Sequence, residues 1–173
     1  ALAATAATCA GCSEQAIEVG LKSFRGLADR LELVGTVGGR RIINDSSSTT
    51  PESTMAALDA LDPPIWLLAG GADKGVDYEA LARQIALRAD GAVLFGQVAV
   101  GLAEKVVSFG TRPFCRAVST LKEAFALCVE QSPSVATIVL SPGCSSHDQF
   151  VNYRARGAAL VELVESYPVT LTR

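Results

Sequence analysis

The sequence predicts an α/β domain in which a mostly parallel sheet carries helices on both faces, preceded by a β-hairpin and two N-terminal helices. Three observations predict it. Beyond residue 50, short apolar runs alternate with amphipathic stretches of helical period, an order that right-handed crossovers turn into a parallel sheet covered on both sides. Before that point, Leu31-Glu32-Leu33-Val34 and Arg41-Ile42-Ile43 flank Gly38-Gly39, the signature of a hairpin. The length of 173 residues and the hydrophobic content of 49% suit a single core of ordinary size.

Taken in order, Ala1 to about Cys12 is small and helix-favouring, and Ser13 has the character of an N-cap for a second helix through Ile17, Val19 and Leu21. Neither helix has a neighbouring strand in the sequence to cover. Gly26 to Arg30 breaks the pattern and places a domain boundary near residue 31, dividing the chain into 1–30 and 31–173. After the hairpin, strands are expected at Ile65 to Ala69, Ala92 to Phe95, Pro113 to Val118 and Val135 to Leu140. Helices are expected at about 51–61, 78–89, 97–108, 120–131 and 147–166. Thr50-Pro51 supplies an N-cap with proline at the first helical position, and Thr120 with Glu123 a capping box.

Charge and composition exclude several functions. A net charge of -3 gives no basic excess for a nucleic-acid partner. No apolar run approaches the roughly 20 residues that span a bilayer, and the Ala-rich start lacks the basic region of a signal peptide. Membrane association is therefore not expected, and a cytoplasmic location is. The cysteines, Cys9, Cys12, Cys115, Cys128 and Cys144, are odd in number and scattered. They are expected to be reduced and packed as small side chains rather than paired or bound to zinc.

In a sheet of this kind the ligand crevice lies at the carboxyl ends of the strands, and three loops there are polar. Asn44-Asp45-Ser46-Ser47-Ser48-Thr49-Thr50 leads from a strand into a helix start, where hydroxyls and free N–H groups either hold an anion or simply cap the helix. In Gly70-Gly71-Ala72-Asp73-Lys74 the paired glycines would let the backbone approach a ligand and Lys74 would deliver charge. The spacing is not that of a phosphate-binding Walker loop. Ser141-Pro142-Gly143-Cys144-Ser145-Ser146-His147-Asp148 places two hydroxyls after the most apolar strand, with Asp148 and Asn152 expected to enter the next helix. His147 sits beside Ser146 and Asp148, too close in sequence for a nucleophile, base and orienter, and reads as a helix-start residue without special chemistry. Lys122 with Glu123, and Arg154 with Arg156, read as solvated faces.

Together and in order these loops resemble the Mur ligase family, and within it the glutamate-adding branch. Gly26-Leu27-Ala28-Asp29-Arg30 is similar to that branch's GLPHR, Ile43-Asn44-Asp45-Ser46 with Thr49 to INDSKATN, and Leu67 to Lys74 to LLGGxDK. Leu140 to Phe150 is similar to LSPACASxDQF, the most specific of the four. The chain departs from these motifs at Asp29 (His), Ser47 (Lys) and Thr50 (Asn), and Ser48-Thr49-Thr50-Pro51 resembles the members that accept L-glutamate.

The resemblance implies a three-domain cytoplasmic ligase of peptidoglycan synthesis, of which this chain resembles the last, Rossmann-like domain that closes over the others. Residues 1–30 would be the end of the central ATPase domain. The implied reaction joins glutamate, D-glutamate foremost, to UDP-N-acetylmuramoyl-L-alanine through an acyl phosphate, with ATP and magnesium held mainly by the central domain. Carried over by position, Arg30 and Asp45 would contact the nucleotide, and Thr49, Lys74, Ser146 and Tyr153 the incoming glutamate. No residue is assigned a covalent catalytic role. Without a GxxxxGK[ST] loop, residues 1–173 are expected to turn nothing over alone. The alternative is a doubly wound module that binds a nucleotide or anion without catalysis, for which the same loops would serve. The SPGCSSxDQF-like loop argues against a folylpolyglutamate synthetase.

Overall fold

The computed structural model describes residues 2–110 and 113–168. Its helices are α1 (Leu2–Cys9), α2 (Glu14–Ser23), α3 (Pro51–Ala60), α4 (Glu79–Arg88), α5 (Ala99–Ser108), α6 (Leu121–Gln131) and α7 (Tyr153–Glu165). Its strands are β1 (Glu32–Val37), β2 (Arg40–Asn44), β3 (Ile65–Gly70), β4 (Gly91–Phe95), β5 (Phe114–Val118) and β6 (Thr137–Leu140). One sheet takes the order β1-β2-β6-β3-β4-β5. β1 and β2 are antiparallel, and every other neighbouring pair is parallel. The hairpin is part of this sheet, because β2 lies along β6 from Arg41 beside Thr137 to Asn44 beside Leu140.

Alternation along the strands sorts the core into two layers. Ile65, Leu67 and Ala69 of β3 pack with Leu58, Leu81, Ile85 and Leu102 from α3, α4 and α5. Trp66 and Leu68 pack on the opposite face with Phe125 of α6 and Leu160 of α7. The chain runs outward from β3 through β4 to β5, then returns to β6 on the other side of β3. The strand order therefore reverses between β3 and β6, which puts the crevice between the loops that leave them.

The local signals read from the sequence hold in most places. Ser13 accepts from the Ala16 N–H at 3.2 Å, and Thr50 and Thr120 both form capping boxes. The last helix is shorter than expected, starting at Tyr153 and capped by Asn152. Residues 147–152 are diverted because Asp148 Oδ2 accepts from the Gln97 N–H (3.2 Å) and Gln149 Nε2 donates to the Ser119 carbonyl (2.8 Å). His147 and Asp148 thus lie in the loop, and His147 is exposed.

Neither α1 nor α2 buries a residue, and Val19, Leu21, Phe24 and Leu27 are exposed. A helix pair with so little packing opens at small free-energy cost. Its amides are expected to exchange with solvent deuterium far faster than those of β3, and protection equal to β3 would contradict this.

The expectation that all the cysteines are packed holds for Cys115, Cys128 and Cys144 and fails for the exposed Cys9 and Cys12, whose helices have no core to enter. Burial pushes the Cys115 and Cys144 thiols up to about 11 and raises Cys128 as well, leaving little thiolate near neutrality. Mass spectrometry after iodoacetamide at neutral pH is therefore expected to find adducts at Cys9 and Cys12 alone in the native chain, and at every cysteine after denaturation.

Candidate functional site

Three loops meet at the carboxyl edge of the sheet, around the β3/β6 reversal. The loop after β3 passes directly over its neighbours: the Gly70 N–H donates to the Pro142 carbonyl (2.8 Å), the Gly71 N–H to Phe95 (3.0 Å) and the Ala72 N–H to Ser145 (2.9 Å). A Cβ on Gly71, at φ 139°, would lie 2.1 Å from the Ser145 oxygen. The glycines therefore let backbone meet backbone, rather than backbone meet ligand as the sequence suggested.

From this crossing Lys74 reaches the loop after β2, where its Nζ donates to the Thr49 carbonyl at 3.0 Å. Lys74 is exposed and Thr49 half-buried. Ser146, on the loop after β6, is 3% exposed and accepts the Gln149 and Phe150 N–H groups through its carbonyl. Tyr153 opens α7, and its carbonyl accepts the Ser46 hydroxyl at 2.8 Å.

The two nucleotide-contact candidates are placed differently. Arg30 is exposed, and its side chain makes no ion pair among the described residues. Asp45 is 2% exposed. Its Oδ1 accepts the Leu31 N–H (3.1 Å) and its Oδ2 the Ser141 hydroxyl (2.7 Å), so the carboxylate is engaged from within and braces the loop. Thr54 completes this brace, donating to the Ser141 carbonyl at 3.1 Å.

Beneath the loops lies Arg156, fully buried, a residue that the sequence reading put on a solvated face. Its Nε donates to Ser46 Oγ (3.0 Å), Nη2 to the Ser46 carbonyl (3.0 Å) and Nη1 to the Cys144 carbonyl (3.2 Å). The planar guanidinium fork ties the loop after β2 to the loop after β6, as an ammonium could not. No carboxylate forms an ion pair with it among the described residues. Burial lowers it to about 10, still well above neutrality, so a positive charge persists under the crevice. Burial and the neighbouring Cys144 thiol raise the Tyr78 phenol, which stays neutral and closes the floor on the α4 side.

A cavity of about 540 Å³ lies between α6 and α7 and reaches Thr120, Gln149 and Phe150 of the flanking loops, and one of about 650 Å³ lies beside the hairpin turn.

Residues 29–144 match the Mur ligase, glutamate ligase domain. The chain belongs to the Mur ligase family. This Mur ligase chain is 37% identical over 160 residues to the UDP-N-acetylmuramoylalanine--D-glutamate ligase of Caldicellulosiruptor bescii, covering 92% of this chain and 35% of that one. The corresponding ligase of Solibacter usitatus is 37% identical over 162 residues, with coverage of 94% and 36%. The chain thus spans about a third of the length of these curated relatives. In fold it is similar to the MurF ligase of Thermotoga maritima solved with ADP (TM-score 0.64, 13% identity, 93% of this chain and 35% of that one). It is also similar to the FolC protein of E. coli solved with ADP (TM-score 0.60, 17% identity, 88% and 35%).

Within the Mur ligase chain the departures from the glutamate-adding motifs have definite surroundings. Thr50 caps α3 with its hydroxyl. The Ser47 hydroxyl is buried without a hydrogen-bond partner among the described residues. Asp29 accepts from Asn44 Nδ2 at 2.9 Å. Asp148, expected at the helix start, and Gln149, quoted above only as part of a motif, instead pin the loop after β6 to the ends of β4 and β5. Their polarity at a strand end was a signal, but their partners lie tens of residues away.

Proposed function

We propose that this chain is the glutamate-holding, closing domain of a longer ATP-dependent ligase of peptidoglycan synthesis. That ligase joins glutamate, D-glutamate foremost with L-glutamate as the alternative, to UDP-N-acetylmuramoyl-L-alanine. The observation that carries the reading is the contact between Lys74 and the Thr49 carbonyl, which brings two glutamate-contact candidates from different loops together at the strand-order reversal. An amino acid with two carboxylates needs a cation and neutral donors; Lys74 and Thr49, joined by that contact, would supply the first of each, and Ser146 and Tyr153 are the further proposed donors.

In the proposed reaction the γ-phosphoryl group of ATP passes to the substrate carboxylate, giving an acyl phosphate and ADP. The glutamate amine then attacks the acyl carbon, forming the amide as phosphate leaves and the amine loses a proton. This chain's part is orientation: Lys74 fixes a glutamate carboxylate so that the amine faces the acyl phosphate. Arg30, exposed where residues 1–30 meet the rest, and Asp45, which also braces its loop through Leu31 and Ser141, are the proposed nucleotide contacts. ATP supplies the phosphoryl group that activates the carboxylate. Magnesium would be held mainly by the central ATPase domain together with the nucleotide phosphates, as the family resemblance implies.

The exposed apolar residues of α1 and α2 fit docking against the central ATPase domain, with the boundary near residue 31. A cytoplasmic location is part of this proposal and rests on the family resemblance; no helix among the described residues is long and apolar enough to cross a membrane. The test is phosphate release by the full-length gene product. Release is expected only when ATP, magnesium, UDP-N-acetylmuramoyl-L-alanine and glutamate are all present, with the D and L isomers compared side by side. Release that ignores glutamate would contradict the reading, and residues 1–173 alone are expected to release none.

A further inference from the structure

Asp29 (φ 59°) and Leu31 (φ 44°) are the non-glycine residues with left-handed backbone among those described. Such a conformation is sterically unfavourable for L-residues and persists where surrounding contacts over-determine it. Here the contacts run from this segment into the loop after β2. The Asp29 carbonyl accepts the Ser47 N–H at 3.0 Å, and the Leu31 N–H reaches Asp45 Oδ1 at 3.1 Å. Asp29 Oδ1 accepts from Asn44 Nδ2 at 2.9 Å, and the Asp29 N–H donates to Glu32 Oε2 at 2.9 Å.

Asn44 is 2% exposed, and its Oδ1 accepts the Ser46 N–H at 3.1 Å. The Asp29 carboxylate therefore orients the Asn44 amide, and Asn44 holds Ser46, whose hydroxyl bonds the Tyr153 carbonyl and Arg156. The carboxylate also lies directly on α7: a Cβ on Gly157 would come within 1.9 Å of Asp29 Oδ1 and 2.9 Å of Asn44 Nδ2. Arg156, next in sequence to Gly157, feels the charge of Asp29, which favours its protonated form.

We propose that Asp29, standing where the similar motif has histidine, is a positioning residue that fixes the Ser46–Thr49 loop from the segment preceding β1. The inference rests on the proposed glutamate site. Asp29 touches no substrate; it acts through Asn44 and Ser47, and Gly157 is kept small to admit its carboxylate.

The test is amide hydrogen exchange by NMR on the 173-residue chain, without substrate, in Asp29→Ala and Asp29→Asn. Asp29→Ala is expected to speed exchange at Ser46 and Ser47 roughly tenfold or more, with β3 and β6 unchanged. Asp29→Asn keeps an acceptor in the same place and is expected to restore most of the protection. Unchanged exchange in Asp29→Ala would overturn the proposal. So would an equal loss in Asp29→Asn, and this second variant decides the matter should the alanine variant unfold. In the full-length ligase, Asp29→Ala should raise the KM for glutamate more than it lowers kcat, with rescue by Asp29→Asn. Because exchange is read without turnover, altered loop exchange in a protein that never uses glutamate would sink the ligase reading alone. Unaltered exchange in an active ligase would sink this inference alone.

Discussion

Gly71→Ala is expected to destabilise the domain by about 3 kcal/mol or more, lowering Tm by roughly 6–12 °C for a chain of this size. The new Cβ would lie 2.1 Å from the Ser145 oxygen and 3.3 Å from Arg156 Nη1, at φ 139°. Neither neighbour can yield cheaply. The Ser145 carbonyl is backbone, held by the Ala72 N–H, and Arg156 is held by three hydrogen bonds. Gly75→Ala is the control: Gly75 has φ 66° but nothing within 4 Å of its Cβ position, so only the backbone penalty of about 1–2 kcal/mol remains. Thermal melts of the two variants beside the parent chain decide it. Equal, small losses would mean that the loop crossing is looser than described.

The same crossing shows what the sequence could and could not reveal. Alternating apolar runs and capping residues act locally, so the strands β3, β4 and β6 and the helix starts at Thr50 and Thr120 were legible. The joining of the hairpin to the sheet was not, because the partner of β2 is β6, nearly a hundred residues further on. Arg156 was misread for a related reason. Two arginines two residues apart on α7 look alike in sequence, and one is buried because Ser46, 110 residues away, and Cys144 supply acceptors for it. Asp45 illustrates the limit for polar loops, since nothing in an aspartate after a strand foretells that it also accepts from Leu31 and Ser141. The ligand-facing candidates were found through motif resemblance, and folding then brought Lys74 and Thr49 into contact.

Lys74→Ala in the full-length ligase is the second large expected effect, this time on function. Lys74 is the cation among the proposed glutamate contacts, and a charge-assisted hydrogen bond to a carboxylate in a partly desolvated site contributes about 1.5–3 kcal/mol. Its removal should weaken glutamate use roughly ten- to hundredfold. Stability should move by less than about 0.5 kcal/mol, as for other exposed side chains, because what Lys74 contacts in the fold is the Thr49 carbonyl at the surface. If Lys74 also sets the angle of the attacking amine, kcat falls together with affinity.

The deciding measurement is the initial rate of phosphate release by full-length Lys74→Ala and parent ligase as glutamate is varied, with ATP and UDP-N-acetylmuramoyl-L-alanine saturating. The glutamate-holding role predicts a KM for glutamate raised roughly ten- to hundredfold, with the KM values for ATP and the UDP-sugar near those of the parent and an unchanged melt. A folded Lys74→Ala enzyme with the parent's glutamate dependence would contradict it, and would leave the crossing of the three loops as a structural joint without a glutamate site.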